Sequence, residues 1–341
     1  MIGRQSVEFC EPPVITARAS VAGKKEGDGP LGKLFDEVVD DPMAGQNTWE
    51  EAESTLQEKV VGHLLNKAKV KESDVRYIFS GDLLGQLIAS SFGLAKYNIP
   101  YFGLFGACST MGEGMSLGSM IVAGGCADRV IAVTSSHFAS AEKQFRFPLE
   151  YGNQRPLSAT WTVTGSGGVI LEKAVGNNAA FSGKVCIKGV TTGKIVDYGV
   201  KDSFNMGASM APACADMIYA NFKDFGVDAD YYDKIFTGDL GYVGQRILID
   251  LLKEKGVDIS KVHSDCGMII FDQETQDTHA GGSGCGCAAA TLCSYILKRM
   301  EEGEFKRVLF APTGALMSTV SYNEGMSIPG IAHGIVLERI E

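Results

Sequence analysis

The stretch GLFGACSTMGEGMSLGSM, residues 103–120, carries an apolar approach to a single cysteine, Cys108, and follows it at once with small residues. A chain that turns from strand to helix at a cysteine puts the thiol at a helix N-terminus, where unpaired N–H groups and the macrodipole lower its pKa. Gly112, Gly114, Ser116 and Gly118 remove bulk from the helix, so it can be packed closely on all sides. Cys108 is therefore expected to face a pocket.

Working outward, the surroundings of this elbow occur twice. Arg129-Val-Ile-Ala-Val is echoed by Arg307-Val-Leu-Phe-Ala, an offset of 307 − 129 = 178. Ile78-Phe-Ser-Gly-Asp-Leu is echoed by Ile235-Phe-Thr-Gly-Asp-Leu, an offset of 235 − 78 = 157. A helical stretch precedes the later landmark in each half, Ser109 to Ala123 and Cys287 to Met300. Landmarks repeated in one order predict two copies of a single α/β unit. The halves are expected to divide near residue 180, as 1–180 and 181–341, where Ala174-Val-Gly-Asn-Asn breaks the pattern.

Local signals agree with alternating strands and helices. Thr48 and Glu51 form a capping box, continued at helical spacing by Leu56, Val60, Leu64 and Ala68. Val130 to Val133 and Val308 to Phe310 are apolar on both faces, as central strands require. Thr164 to Leu171 reads as a glycine turn feeding a buried strand, and Ala332 to Ile340 as a closing strand. Gly23 to Asn47, rich in Gly, Asp and Lys, reads as a surface excursion.

Composition excludes several function classes. Of 341 residues, 45% are hydrophobic and 21% charged, enough to bury a sizeable core. No run of about 18 apolar residues is present to span a bilayer, and the N-terminus has no signal-peptide core. The net charge of −10 argues against nucleic-acid binding and against direct adhesion to anionic lipid. Nine scattered cysteines fit reduced thiols better than a disulfide framework. Cys285, Cys287 and Cys293 lack the second ligand pair that a zinc site needs.

The elbow, the repeat, the Gly165-Ser-Gly-Gly-Val turn and the closing Gly334-Ile-Val-Leu-Glu strand together resemble the thiolase-like fold of ketoacyl synthases and thiolases. That resemblance implies two pseudo-repeated α/β halves in five layers. Three strings narrow it: Thr134-Ser-Ser-His-Phe, Gln144 to Pro156, and Phe204 to Pro212. They resemble the stage V sporulation protein AD family of spore-forming bacteria. Membership implies binding of dipicolinic acid (pyridine-2,6-dicarboxylate) and a part in its uptake into the developing spore. It also implies the other stage V sporulation A proteins as membrane partners, a homodimer through the edge of the first-half sheet, and peripheral placement at the inner membrane of forespore and spore.

Laid on this chain, the pattern of initiating ketoacyl synthases puts their histidine at or beside Asp239. It puts their asparagine within Gly281 to Cys285, where no asparagine occurs. A carboxylate opposes developing negative charge, so the resemblance implies a degenerate condensing fold used for binding, without a cofactor. The ligand-binding residues expected are Cys108, His137, Asp239, Gly282 and Ser283. Lys143, Arg146 and Arg155 would steer an anion, or pair with Glu142 and Glu150. Asp239 is alternatively a turn residue of the repeat, or meets calcium carried with the ligand as its chelate. The competing reading is an acyl-condensing or acyl-transfer enzyme using Cys108, with His137 or His279 as a substitute imidazole. Met206, Met210, Met217 and Met326 are read as gap fillers, His63 and His263 as surface or helix-face residues, and His333 as a strand residue.

Overall fold

The computed structural model describes residues 1–145, 154–174 and 181–341. The boundary expected near residue 180, and Arg146 and Glu150 of the steering segment, lie outside the described residues. The first half supplies strands β1 (Ser6–Glu8), β2 (Val14–Gly23), β3 (Glu37–Val39) and β4 (Tyr77–Gly81). It continues with β5 (Tyr101–Gly103), β6 (Arg129–Ser136), β7 (Trp161–Thr162) and β8 (Gly165–Glu172). Its helices are α1 (Lys24–Gly27), α2 (Trp49–Ala68), α3 (Ile88–Leu94), α4 (Thr110–Ala123) and α5 (Phe138–Phe145).

The second half supplies β9 (Val185–Thr191), β10 (Lys234–Thr237), β11 (His263–Asp265) and β12 (Gly282–Ser283). After these come β13 (Arg307–Ala311), β14 (Thr313–Ala315), β15 (Gly330–Ala332) and β16 (Gly334–Arg339). Its helices are α6 (Met206–Phe225), α7 (Gly241–Glu254), α8 (Cys266–Ile269), α9 (Cys285–Thr291), α10 (Leu297–Glu301) and α11 (Thr319–Asn323). A π-helical turn, Leu292–Ile296, joins α9 to α10.

Pairing carries the repeat through to three dimensions. Among the described residues the main sheet runs β11-β10-β13-β16-β9-β2-β8-β6-β4-β5, a sequence of strands that mirrors itself about the β9–β2 contact. Ile78 pairs with Ile131 in parallel, and Ile131 with Ile170 antiparallel. Their counterparts repeat this register: Ile235 pairs with Leu309 in parallel, and Leu309 with Val336 antiparallel. Both sequence offsets, 157 and 178, are thus honoured residue for residue.

Helices complete the layers. α2 and α3 pack on the outer face of the first five strands, and α6, with α7 against it, on the second. α4 and the α9–α10 helix lie between the two halves of the main sheet and touch strands of both. Close approach explains the small residues of α4. A Cβ on Gly112 would meet Pro312 Cγ at 2.6 Å and the His333 carbonyl at 3.1 Å, and one on Gly118 would meet Leu171 and Val130 at 3.1 Å. The Thr48–Glu51 capping box opens α2, an arrangement that contributes about 1 kcal/mol.

The excursion is more ordered than its composition suggests. It carries α1 and β3, the latter pairing in parallel with β2, and it buries Glu26, Leu31 and Phe35. The Lys- and Asp-rich positions between these anchors supplied the surface signal.

Candidate functional site around Cys108

A 3-10 turn, Ala107–Ser109, delivers Cys108 to the start of α4. Ala107 is left-handed (φ 48°), a conformation that costs a non-glycine residue about 1 kcal/mol. The turn is held by three bonds: Gly106 N–H donates to Thr110 Oγ1 (3.1 Å), Thr110 Oγ1 to the Ala107 carbonyl (2.6 Å), and Ser109 Oγ to the Gly106 carbonyl (2.7 Å). Cys108 is buried, with 8% of its surface exposed at the floor of a cleft.

The thiol does not have the lowered pKa expected of a helix N-terminus. Burial, followed by the negative charge of Asp239 beneath it, holds the pKa well above the usual thiol range. Cys108 shares a hydrogen bond with the Asp239 carboxyl, while Ser283 acts more weakly in the opposite sense. Desolvation and a neighbouring anion outweigh a dipole effect limited to about 1 kcal/mol at most sites.

Asp239 is fully buried at the end of β10 and is anchored on all sides. Its Oδ2 accepts from Ser283 Oγ (2.6 Å) and Gly284 N–H (3.0 Å), and its Oδ1 from Thr313 Oγ1 (2.7 Å). It therefore ties the β12 loop and β14 to the elbow and does not itself line the cleft. Burial raises its pKa, opposed by these donors. The expectation that Asp239 meets the ligand or its calcium is corrected: both oxygens already serve the protein's own donors. Nearby, Asp265 accepts from Thr237 Oγ1, Leu240 N–H and Gly241 N–H, and burial pushes it up to about 7.

The cleft is narrow, about 70 Å³. Met206 and Met210, one helical turn apart on α6, form one wall together with Met317. Glu142 on α5 and Thr160 and Thr162 flanking Trp161 form the opposite wall. Leu83 and Phe105 stand at its margin, and Ser203, Ser283, Gly284 and Ala315 complete it. Glu142 accepts from Thr162 Oγ1 at 2.9 Å. α5 is fixed by Ser140, whose hydroxyl donates to the buried Glu53 at 2.6 Å. Among the described residues, no histidine, asparagine, lysine or arginine lines this cleft.

Of the residues expected to act together, Cys108 and Ser283 meet there, and Asp239 supports them from behind. Gly282 pairs with Trp161 in the β12–β7 ladder, one step removed, and Gly284 takes its place in the lining. His137 does not face the cleft. Its Nε2–H donates to the Pro42 carbonyl (2.9 Å) and its Nδ1 accepts from Ala139 N–H (3.2 Å), on the wall of a separate groove. Burial lowers its pKa. Its two ring bonds, to the Asp40–Pro42 turn and to the first turn of α5, hold it on that side, while Ser136 before it bonds the Val163 carbonyl.

His279 bonds the Pro156 carbonyl and Asp277, away from the thiol, which corrects its role as a substitute imidazole. His263 is buried in β11 between Thr237 and Gln245, not at the surface. His63 pairs with Glu37, and His333 is buried between β15 and β16. Lys143 pairs with Glu50 and Arg155 with Asp277, so neither is directed into the cleft. Met326 is exposed and fills no gap. Cys285, Cys287 and Cys293 donate to the carbonyls of Ser135, Gly238 and Gly168.

Glu142, Thr160, Thr162 and the methionine wall were not legible as site residues. The only sequence signal was their membership of, or closeness to, the two unusual strings near Gln144–Pro156 and Phe204–Pro212. No helix among the described residues is long and apolar enough to cross a membrane.

Comparison with known proteins agrees with this architecture. The chain is similar in fold to 3-oxoacyl-[acyl-carrier-protein] synthase III from Aquifex aeolicus, at 12% identity and TM-score 0.57, covering 96% of this chain and 99% of that one. It is equally similar to a single-residue variant of OleA from Xanthomonas campestris, at 12% identity and TM-score 0.57, covering 98% and 100%. These likenesses establish the thiolase-like fold. In sequence it is 43% identical over 339 residues to stage V sporulation protein AD of Bacillus subtilis (strain 168), covering 99% of this chain and 98% of that protein. The profile of the family described as Stage V sporulation protein AD (SpoVAD) matches residues 3–338, and the chain belongs to this sporulation family.

Proposed function

We propose that the Cys108 cleft binds dipicolinic acid without turning it over, and that the protein serves the assembly moving this acid into the developing spore. The supporting observation is the cleft itself, whose described lining contains no imidazole or amide side chain beside the buried thiol and the Asp239 carboxyl it bonds. Condensation needs a thiolate and donors for the developing oxyanion, and losing one such donor costs about 3 kcal/mol. The hydroxyls of Thr160 and Ser203 can donate to carboxylate oxygens, those of Thr162 and Ser283 being already given to Glu142 and Asp239. Met206, Met210 and Met317 are the movable wall, since thioether chains adapt to a guest larger than the resting space.

Glu142 lines the cleft, and a carboxylate there favours the acid arriving as its calcium chelate over the bare dianion. Glu142, not Asp239, is then the carboxylate that meets the metal. A homodimer forms through β5, whose three residues are exposed beside exposed Ile88, Phe92, Phe105 and Leu117. Attachment at the inner spore membrane is peripheral and runs through the other stage V sporulation A proteins.

Calorimetric titration of dipicolinate, with calcium and with chelator, tests the reading. Saturable binding weakened about ten-fold by Thr160→Val is expected, with acetyl-CoA hydrolysis at the solvent background. Steady CoA release that is lost in Cys108→Ala would replace this function with an enzyme's.

A further inference from the structure

Behind α5 and β7 lies a second hollow, an open groove of about 840 Å³ that shares no lining residue with the Cys108 cleft. Its walls come from α1, the Asp40–Pro42 turn, the start of α2, the β6–α5 junction, β7 and the 275–277 loop. The chain has two tryptophans, and both are here. Trp161 stacks on Phe138 at 4.0 Å and 11°, and Trp49 packs on His137 at 5.4 Å.

We infer that this groove is a binding site for an organic cation, an alkylammonium or guanidinium group, received by Glu26 in a groove that both tryptophans line. Glu26 is 1% exposed and lines the groove. Its Oε1 accepts from Thr164 N–H at 2.9 Å, whereas Oε2 is buried with no hydrogen-bond partner among the described residues. A buried acceptor left this way costs about 1–3 kcal/mol, which a ligand N–H would recover.

Charge and ring faces select a cation over an anion. Four carboxyl groups line the groove (Glu26, Asp28, Asp40 and Asp277) against two lysines. Each nearby base already has an oxygen partner: Lys24 holds Asp28 at 2.8 Å, Lys25 the Gln276 carbonyl at 2.5 Å, and Arg155 holds Asp277 at 3.0 Å. His137 uses both ring nitrogens and adds no charge. The aromatic faces suit cations: Lys25 sits 4.3 Å and Arg155 4.8 Å from the Trp161 ring centroid, and the Trp49 side offers a second indole.

Burial pushes the Glu26 carboxyl up to about 7, opposed by Thr164 and Lys25. An arriving cation favours the ionised carboxylate, so affinity rises as pH rises through 7.

Because both tryptophans line the groove, intrinsic fluorescence reports its occupancy. Putrescine and N-acetyl-arginine methylamide are titrated separately against the whole chain, with sodium chloride at matched ionic strength as control. A saturable change in emission is expected, weakened about ten-fold or more in Glu26→Gln, which keeps the acceptor for Thr164. If Glu26→Gln does not fold, Asp40→Asn at the exposed rim is expected to weaken binding about three-fold. Tighter saturation by the arginine derivative identifies the source as a protein side chain, and by putrescine as a free polyamine. A response no different from sodium chloride, or an affinity unchanged in the variant that folds, overturns the assignment.

Discussion

Asp82 and Asp239 follow equivalent strands, β4 and β10, one repeat offset of 157 residues apart, yet only Asp239 reaches the cysteine elbow. Asp82 stays within its own half, accepting from Leu84 N–H, Ser90 N–H and Ser90 Oγ. Asp239 instead gathers Ser283, Gly284 and Thr313 around the thiol. Replacing Asp239 with alanine strands these buried donors and is expected to cost on the order of 3 kcal/mol, read as a lowered denaturation midpoint in urea.

Thiol chemistry reports the same carboxylate. With its pKa raised, Cys108 is expected to react with iodoacetamide at pH 8 far more slowly than exposed Cys10 and Cys126. Asp239→Asn removes the opposing charge and should accelerate labelling of Cys108. Peptide mapping by mass spectrometry measures both rates, and a Cys108 that labels first contradicts the burial argument.

Stability should fall as pH rises. Asp265 and Glu26 ionise near 7 in the folded protein, against 3.8 and 4.5 for the free groups. Between those values the folded state keeps protons that the unfolded chain has released. Their contribution is full below about pH 4 and is lost as pH rises through 7, with a slope near 1.4 kcal/mol per pH unit for each group. Thermal melts from pH 5 to about 8 are expected to show a flatter profile in Asp265→Asn than in the native protein.

Glu142→Gln replaces a carboxylate of the cleft wall with an amide. If dipicolinate arrives as an anion, its affinity should tighten by about ten-fold in chelator. If the calcium chelate is the ligand, the same change weakens binding, so the sign distinguishes the two forms by calorimetry.

At the sheet edge, Phe102→Glu places a charge among Tyr101, Phe105 and Phe92, all exposed in the isolated chain. Sedimentation equilibrium is expected to show at least about a hundred-fold weaker self-association. A native chain that is monomeric at micromolar concentration would remove the dimer from the proposal.

The repeat was readable because apolar strand runs and a Gly-Asp turn survive as strings, and sheet pairing then follows one register in both halves. The elbow was readable for the same local reason. The cleft's second wall was not, because Thr160 and Thr162 come to Cys108 only through the β12–β7 ladder, a pairing between segments about 120 residues apart. His137 misled for a simpler cause: a residue just past a strand end can leave on either face, and the string alone does not say which. The raised thiol pKa needed the carboxylate beneath it, which lies 131 residues on, at 239 − 108.

Trp161 and Thr162 are neighbours on a strand two residues long, one turned to each hollow. Such a partition has no slack, since tilting either residue carries its neighbour along. Were both hollows to take their guests, any coupling carried by this strand would be reciprocal, each guest altering the other's affinity by the same factor. The thinness of this septum leaves the two hollows a single short strand apart.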